Sequence, residues 1–357
     1  PRWNGQLDFN EIKFTPTVLG TPFILNNQKI VFAYPQIKLN NFTINDFANH
    51  AIKIDGNVTA KSPAIYNFNL DINADDFIVM NAKRAINSTF YGFASIDADM
   101  TIKGSSEAPK LERTVKVNGK SDVTIVLPET NYQKDEGLTV VKFIDADTFD
   151  IYDPPKPFTE KKRETASFAK YLNYNFNIDV SKNALFTIII DPSTGDEIQV
   201  QGGALLNAGV DPGGNLALAG IYELEDGHYN FSYQFLSRRF DLQKGSTIQF
   251  SGAPMDARID ITASYTIETS SKELLGSEIT SSNTSMYNLL NQKVPFQIIM
   301  NLTGVLSRPE IKFSLNLPDG TDRVNAELKT TIDNKLNQLN NDEAAMNKQV
   351  FSLLLFG

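Results

Sequence analysis

A chain of 357 residues, 41% apolar and 21% charged, is long enough to bury the core of one large elongated unit or two ordinary domains. Its net charge of −9 excludes a nucleic-acid partner, because displacing counterions from phosphates needs clustered Lys and Arg. The absence of cysteine excludes a disulfide framework, a thiolate metal site and a thiol nucleophile, and leaves the redox compartment open.

No Met opens the chain and no signal-like segment follows, so Pro1 reads as an internal residue of a longer precursor. From there period-two alternation dominates, the mark of strands with one apolar and one polar face. Tyr66, Phe68, Leu70 and Ile72 alternate with Asn67, Asn69 and Asp71; Ile96, Ala98, Met100 and Ile102 alternate with Asp97, Asp99 and Thr101. The prolines between Tyr152 and Pro157 cannot complete a ladder of hydrogen bonds. They mark either a long excursion from one continuous sheet or a boundary near residue 155, with a short helix expected at 159–172.

Alternation resumes after residue 170. Ile259, Ile261, Ala263, Tyr265 and Ile267 interleave with polar residues, as do Ile311, Phe313, Leu315 and Leu317. Asp55-Gly56, Asp226-Gly227 and Lys244-Gly245 supply turn signals, so a meandering antiparallel sheet is expected. Near the end, Val324, Leu328, Ile332, Leu336 and Leu339 recur at helical spacing. Pro318, Asp319 and Thr321 offer cap chemistry before that stripe, and Asn340-Asn341 can break it ahead of a second stretch from Asp342 to Leu355. The longest apolar run, Val350 to Phe356, contains Ser352 and falls far short of the roughly 20 residues of a membrane-spanning helix.

Catalytic constellations are missing from this pattern. The two histidines, His50 and His228, share no metal or triad spacing and read as turn or surface residues. Acidic clusters at Asp145, Asp147 and Asp150 and at Asp191, Asp196 and Glu197 lack the spacing of a calcium-binding loop. Gly202-Gly203 and Gly213-Gly214 fit turns rather than a phosphate cradle. The chain reads as non-enzymatic, with no cofactor. Its long apolar face is either a core closed by a second layer or the lining of a groove that admits a greasy ligand; alternation alone does not separate the two.

Five segments follow in order: NALFTIIIDPSTGDEIQVQGGALL (183–206), NLALAGIYELEDGHYNF (215–231), FDLQKGSTIQFSGAPMDARIDITASYTI (240–267), VPFQIIMNLTGVLSRPEIKFSLNLP (294–318) and NKQVFSLLLFG (347–357). In these, from about residue 170 to its end, the chain resembles the C-terminal domain of the TamB family, relatives of the AsmA-like proteins. KLNNFTIND and IKIDGNVTA in the first 150 residues look more loosely like upstream repeats of the same architecture.

The resemblance implies a bacterial envelope protein of all-β class, a long curved antiparallel sheet folded lengthwise into an open apolar groove, a β-taco, with a C-terminal helical segment. Residues 1–152 become upstream repeats, 153–172 a Pro-rich excursion, 173–318 the C-terminal β-taco and 319–357 the helical segment. About two dozen strands at roughly 4.8 Å each would extend on the order of 100 Å. The groove lining expected from it is Phe186, Ile188, Ile190, Leu216, Leu218, Tyr222, Ile259, Ile261, Tyr265, Val294, Phe296, Ile298, Met300, Leu302, Ile311, Phe313 and Leu315. Met346, Val350, Phe351, Leu353 and Leu354 are expected either to cap the sheet or to dock on a partner. Implied partners are phospholipid acyl chains and an outer-membrane barrel of the TamA/BamA-like type. The implied place is the periplasm between the two membranes, with inner-membrane anchoring through upstream sequence. Phospholipid passage and outer-membrane protein assembly both remain open as roles. The competing readings are an outer-membrane β-barrel and an adhesin or carbohydrate-binding β-protein with a closed core.

Overall fold

The structure, a computed structural model, describes residues 3–62, 65–85, 89–127, 175–210, 216–233, 236–275, 289–318 and 324–356. The alternating segments form nineteen strands of one sheet. β1 (Asn4–Phe9) and β2 (Ile12–Phe14) pair with β4 (Gln28–Ala33) and β3 (Phe23–Leu25), and these pair with β5 (Gln36–Asn45). β6 (Ala51–Ala60), β7 (Tyr66–Ala82) and β8 (Phe90–Ser105) follow as antiparallel neighbours. The next level is shared by β9 (Ala108–Val117) and β10 (Asp122–Val126), and the one after it by β11 (Asn175–Val180) and β12 (Leu185–Asp191). β13 (Asp196–Val210) and β14 (Leu216–Tyr233) come next, then β15 (Leu236–Leu242) and β16 (Thr247–Gly252) on a single level. β17 (Arg258–Ser270), β18 (Lys293–Val305) and β19 (Arg308–Asn316) complete the ladder.

Ten of the nineteen strands are halves of five interrupted levels, so the ladder is fourteen levels deep. At about 4.8 Å per level it extends on the order of 60 Å, shorter than expected, because an interrupted strand counts twice along the sequence and once along the sheet. The pairing is antiparallel except at one join, where β9 runs parallel to β11 and β10 to β12. The excursion and short helix expected between Tyr152 and residue 172 lie outside the described residues, as do Asp145, Asp147, Asp150, Asp319 and Thr321. Among the described residues the first and last levels are not paired with each other, so the sheet does not close as a barrel would.

Two of the Asp-Gly pairs do not make turns. Asp55-Gly56 lies inside β6 and Asp226-Gly227 inside β14. Gly56 adopts φ +125°, and a Cβ there would lie 2.1 Å from the Asn69 carbonyl oxygen; at Gly227 it would lie 2.4 Å from that of Gln199. Glycine is needed in both places for close approach of the neighbouring strand, a demand that sequence does not distinguish from a turn.

The interruptions fold each strand lengthwise, and they align from level to level. Asn118–Ser121, Ser181–Ala184 and Gln243–Ser246 are successive loops of one crease. Backbone bonds satisfy the groups that the ladder releases there: Asn118 N–H donates to Ser95 O (2.9 Å), Leu185 N–H to Ser121 O (2.8 Å) and Gln243 N–H to Thr262 O (2.7 Å). On the unbroken strands a β-bulge takes the place of a loop: Glu225 is the extra residue of β14, opposite Gln201 and Gly202 of β13. The bulge at Glu225 switches the alternation from even to odd positions. Leu224 before it and Tyr229 and Phe231 after it therefore all lie in the one core.

Each crease loop carries a lysine. Lys120 pairs with Asp76, and Lys182 and Lys244 both pair with Glu225. These ammonium groups, Lys182 first, hold the Glu225 carboxyl at about 2 against an ordinary 4.5. A carboxyl depressed on folding contributes stability that is present above its unfolded value and lost as pH falls through its folded one. Melting temperature is therefore expected to decline between pH 4.5 and 2, and Glu225→Gln to flatten part of that decline. Identical slopes for the two proteins would show that this pairing does not support the crease.

After β19 come two helices, Ala326–Leu339 and Glu343–Phe356. Asn325 caps the first, its side-chain oxygen accepting from Glu327 N–H (2.9 Å) and Leu328 N–H (3.3 Å). Asp342 performs the same service for the second, accepting from Ala345 N–H (3.0 Å).

Candidate functional site

The folded sheet gathers its apolar residues on the concave side, where cross-strand neighbours continue one stripe through the parallel join. Ala74 faces Ala98, Ala98 faces Val115, Val115 faces Ile178 and Ile178 faces Leu206. One register further, Ile96, Val117, Val180, Ala204 and Tyr222 are paired in succession.

Along its length this stripe is covered to very different degrees. In the upstream levels Phe68, Leu70, Ile72, Met100, Ile102 and Leu111 are only half-buried. At the far end the two helices close it. Leu328, Ile332, Val350 and Leu354 are fully buried in one core with Ile261, Phe296, Ile298, Met300, Leu302 and Leu315. The terminal helix packs on β19 and β15, with the Phe351 ring 6.0 Å from Phe313 and 6.4 Å from Phe231. Arg238 donates from Nη2 to the Leu354 carbonyl (2.6 Å), placing a cation at the negative end of that helix.

Between the open stretch and the closed end lies a cavity of about 260 Å³. Its walls are Val117, Ile125 and Leu127 from β9, β10 and the residue after it; Ile178, Val180, Phe186 and Ile188 from β11 and β12; and Val200, Leu206, Leu218 and Tyr222 from β13 and β14. Ile248, Phe250, Pro254, Met255 and Leu306 complete it. All are aliphatic or aromatic. Val117, Ile125, Phe186, Leu218 and Phe250 are half-buried, so the cavity is not sealed. Its size lies just under the usual range of ligand pockets, about 300–1,000 Å³.

The expected groove residues separate accordingly. Phe186, Ile188, Leu218 and Tyr222 line the cavity. Ile259, Ile261, Val294, Phe296, Ile298, Met300, Leu302 and Leu315 face the concave side but are buried in the closed end, correcting the expectation that they are open to a ligand. Ile190, Tyr265, Ile311 and Phe313 pack half-buried against that core. Leu216 is 51% exposed at the start of β14, away from the cavity. Met346, Val350, Leu353 and Leu354 are buried in the core and Phe351 packs half-buried against it.

Sequence reading missed Val117, Ile125 and Leu127, because they join the second half only through the parallel pairing. It also missed Ile248 and Phe250, although both alternate with Thr247 and Gln249. Of the histidines, His50 does sit in a turn, its Nδ1 2.9 Å from Asp46 Oδ2. His228 lies within β14 rather than after a turn. Among the described residues no acidic or histidine cluster is arranged to hold a metal ion.

The family model described as the TamB C-terminal domain matches residues 40–357. That span begins within β5 and takes in β6 to β19 and the closed end, leaving β1–β4 outside it. No curated protein matches the chain.

Proposed function

The chain belongs to the TamB family, a family of translocation and assembly modules in envelope biogenesis, and from that premise we propose that its trough carries lipid acyl chains. The observation that supports this most is the unsealed cavity with wholly aliphatic and aromatic walls, in line with a half-buried apolar stripe. Each methylene moved there from water contributes about 0.8 kcal/mol, so two acyl chains supply ample driving force while a head group stays at the mouth. Phe186, Ile188, Leu218 and Tyr222 are the contacts.

The protein acts without catalysis in this reading, in the periplasmic part of the envelope, with an outer-membrane barrel as the receiving partner. No helix among the described residues is long and apolar enough to cross a membrane. The closed end supports a lid of the chain's own helices rather than a fully open groove. Lipid transport is favoured over a carbohydrate-binding closed core because the cavity walls offer almost no polar group to a sugar.

Photo-crosslinking residues at Phe186 and Leu218 are expected to label phospholipid in cells, and one at Ala219, on the opposite face of β14, is not. Equal labelling at Leu218 and Ala219, or none at either cavity position, would refute the assignment.

A further inference from the structure

The trough ends before the ladder does. Leu70, Met100 and Val115 of its upstream stripe are half-buried, and so are Ile125, Phe186, Leu218 and Phe250 at the cavity. From β17 on the helices cover the same face, and Ile259, Ile261, Phe296, Ile298 and Met300 are at most 4% exposed. A wall stands between the two regions. On the side of β16 the cavity is bounded by a single 3-10 turn, Pro254–Asp256, and by Leu306 in the turn between β18 and β19. Leu306 N–H donates to the carbonyl of the fully buried Ala257 (2.8 Å), which ties the two turns together. An acyl chain moving further would have to unseat Leu328, Ile332, Val350 and Leu354, each of which would lose its own burial. It would gain nothing there that the cavity does not already offer. Toward the mouth the way is different: Leu216 lies outside the cavity, two residues outward from Leu218 on the same face of β14, and is 51% exposed.

We propose that the cavity is the last station of the trough: an acyl lipid carried along the upstream levels stops there and leaves sideways past Leu216, while the two helices are a fixed cap that no lipid passes. This rests on the lipid reading above and adds where the cargo stops and which way it leaves. The receiving partner accordingly faces the mouth of the trough at β10–β14, and not the end of the ladder at β19.

The test maps phospholipid along the path in cells. A photo-crosslinking residue replaces Met100, Phe186, Tyr265 or Phe313 in turn, and phospholipid attached after illumination is counted. Label is expected at Met100 and Phe186, and none at Tyr265 and Phe313, which lie half-buried against the closed core. The map is then repeated with the cavity filled by Leu218→Trp or Ile125→Trp, two half-buried wall positions whose added ring can turn into the empty space. Label at Phe186 is expected to fall about tenfold, the effect of excluding about two methylenes, and label at Met100 to rise as lipid backs up. In a third arm Phe313 and Phe351, whose rings lie 6.0 Å apart, are changed to cysteine in a chain that has none of its own and bridged with a short bismaleimide. Clamping the terminal helix to β19 in this way is expected to leave label at Met100 and Phe186 unchanged.

Label at Tyr265 or Phe313, or a clamp that makes lipid back up at Met100, shows that cargo passes beneath the helices and overturns the proposal. So does a filled cavity that loses label at Phe186 without any rise at Met100, because lipid then leaves elsewhere. These three outcomes leave the lipid reading standing; absence of label at all four positions overturns that reading itself. Should both tryptophan variants fail to fold, the four-position map and the clamp still decide.

Discussion

Ile298→Asp is expected to abolish the soluble folded protein, while Phe186→Asp is expected to leave it folded and unable to hold lipid. Both residues lie on the concave face, but their surroundings differ. Ile298 is fully buried in the closed end, where a carboxylate would have neither water nor a cation, and such burial is unfavourable by several kcal/mol. That is a large part of the roughly 5–15 kcal/mol by which a folded domain exceeds its unfolded chain. Phe186 is half-buried at the unsealed cavity, so an aspartate there can hydrate. What it forfeits is about 1.5–3 kcal/mol of side-chain burial and the edge contact with Tyr222, worth about 0.5–1.5 kcal/mol. Urea unfolding and a count of co-purified lipid read both effects. A stable Ile298→Asp chain would mean that the far end is open, and an unfolded Phe186→Asp chain would mean that the cavity is ordinary core.

The second large effect belongs to the terminal helix. Removing residues 342–357 uncovers the partners of Met346, Val350, Leu353 and Leu354, all buried. At about 1.5–3 kcal/mol for each such side chain, the loss is comparable with the whole stability of a domain. It would also bare Phe231 on β14 and Phe313 on β19, the last strand of the ladder, leaving an apolar surface that invites aggregation. The truncated chain is therefore expected to precipitate or to melt far below the full one. Should it instead melt normally, keep its lipid and fail only to co-purify with an outer-membrane barrel, the helix is a docking element and the capping account is wrong.

Period two was enough to find the strands, because each exposes one face to the concave side and the other to water. In β17 Ile259, Ile261 and Ile267 are buried and alternate with charged and hydroxyl residues, and in β18 Val294, Phe296, Ile298, Met300 and Leu302 are buried and alternate with Pro295, Gln297, Ile299 and Asn301. What alternation does not encode is how much cover each inward residue receives. Met100 and Met300 have the same side chain on the same concave side, one half-buried and one fully buried. The difference is made by helices that come later in the chain. The cavity was only partly legible for a related reason: Tyr222 and Val117 meet through two intervening strands and a parallel pairing, and nothing local to either residue signals that meeting. The Glu225 bulge likewise shifts parity without a sequence marker beyond the Asp-Gly pair, which suggested a turn.

That parallel pairing also separates the costs of assembling the ladder. A hairpin neighbour closes a loop of a few residues, and the entropy lost in doing so grows only with the logarithm of loop length. Between β10 and β11, however, the ends to be joined are separated by residues 127–174, and the bonds gained are slanted parallel ones, slightly weaker per residue than antiparallel ones. The join thus closes the longest gap in the ladder with bonds that are slightly weaker per residue. It divides an otherwise continuous sheet into two stretches of hairpins, and the cavity spans the division, with Val117 and Ile125 on one bank and Val180 and Ile188 on the other.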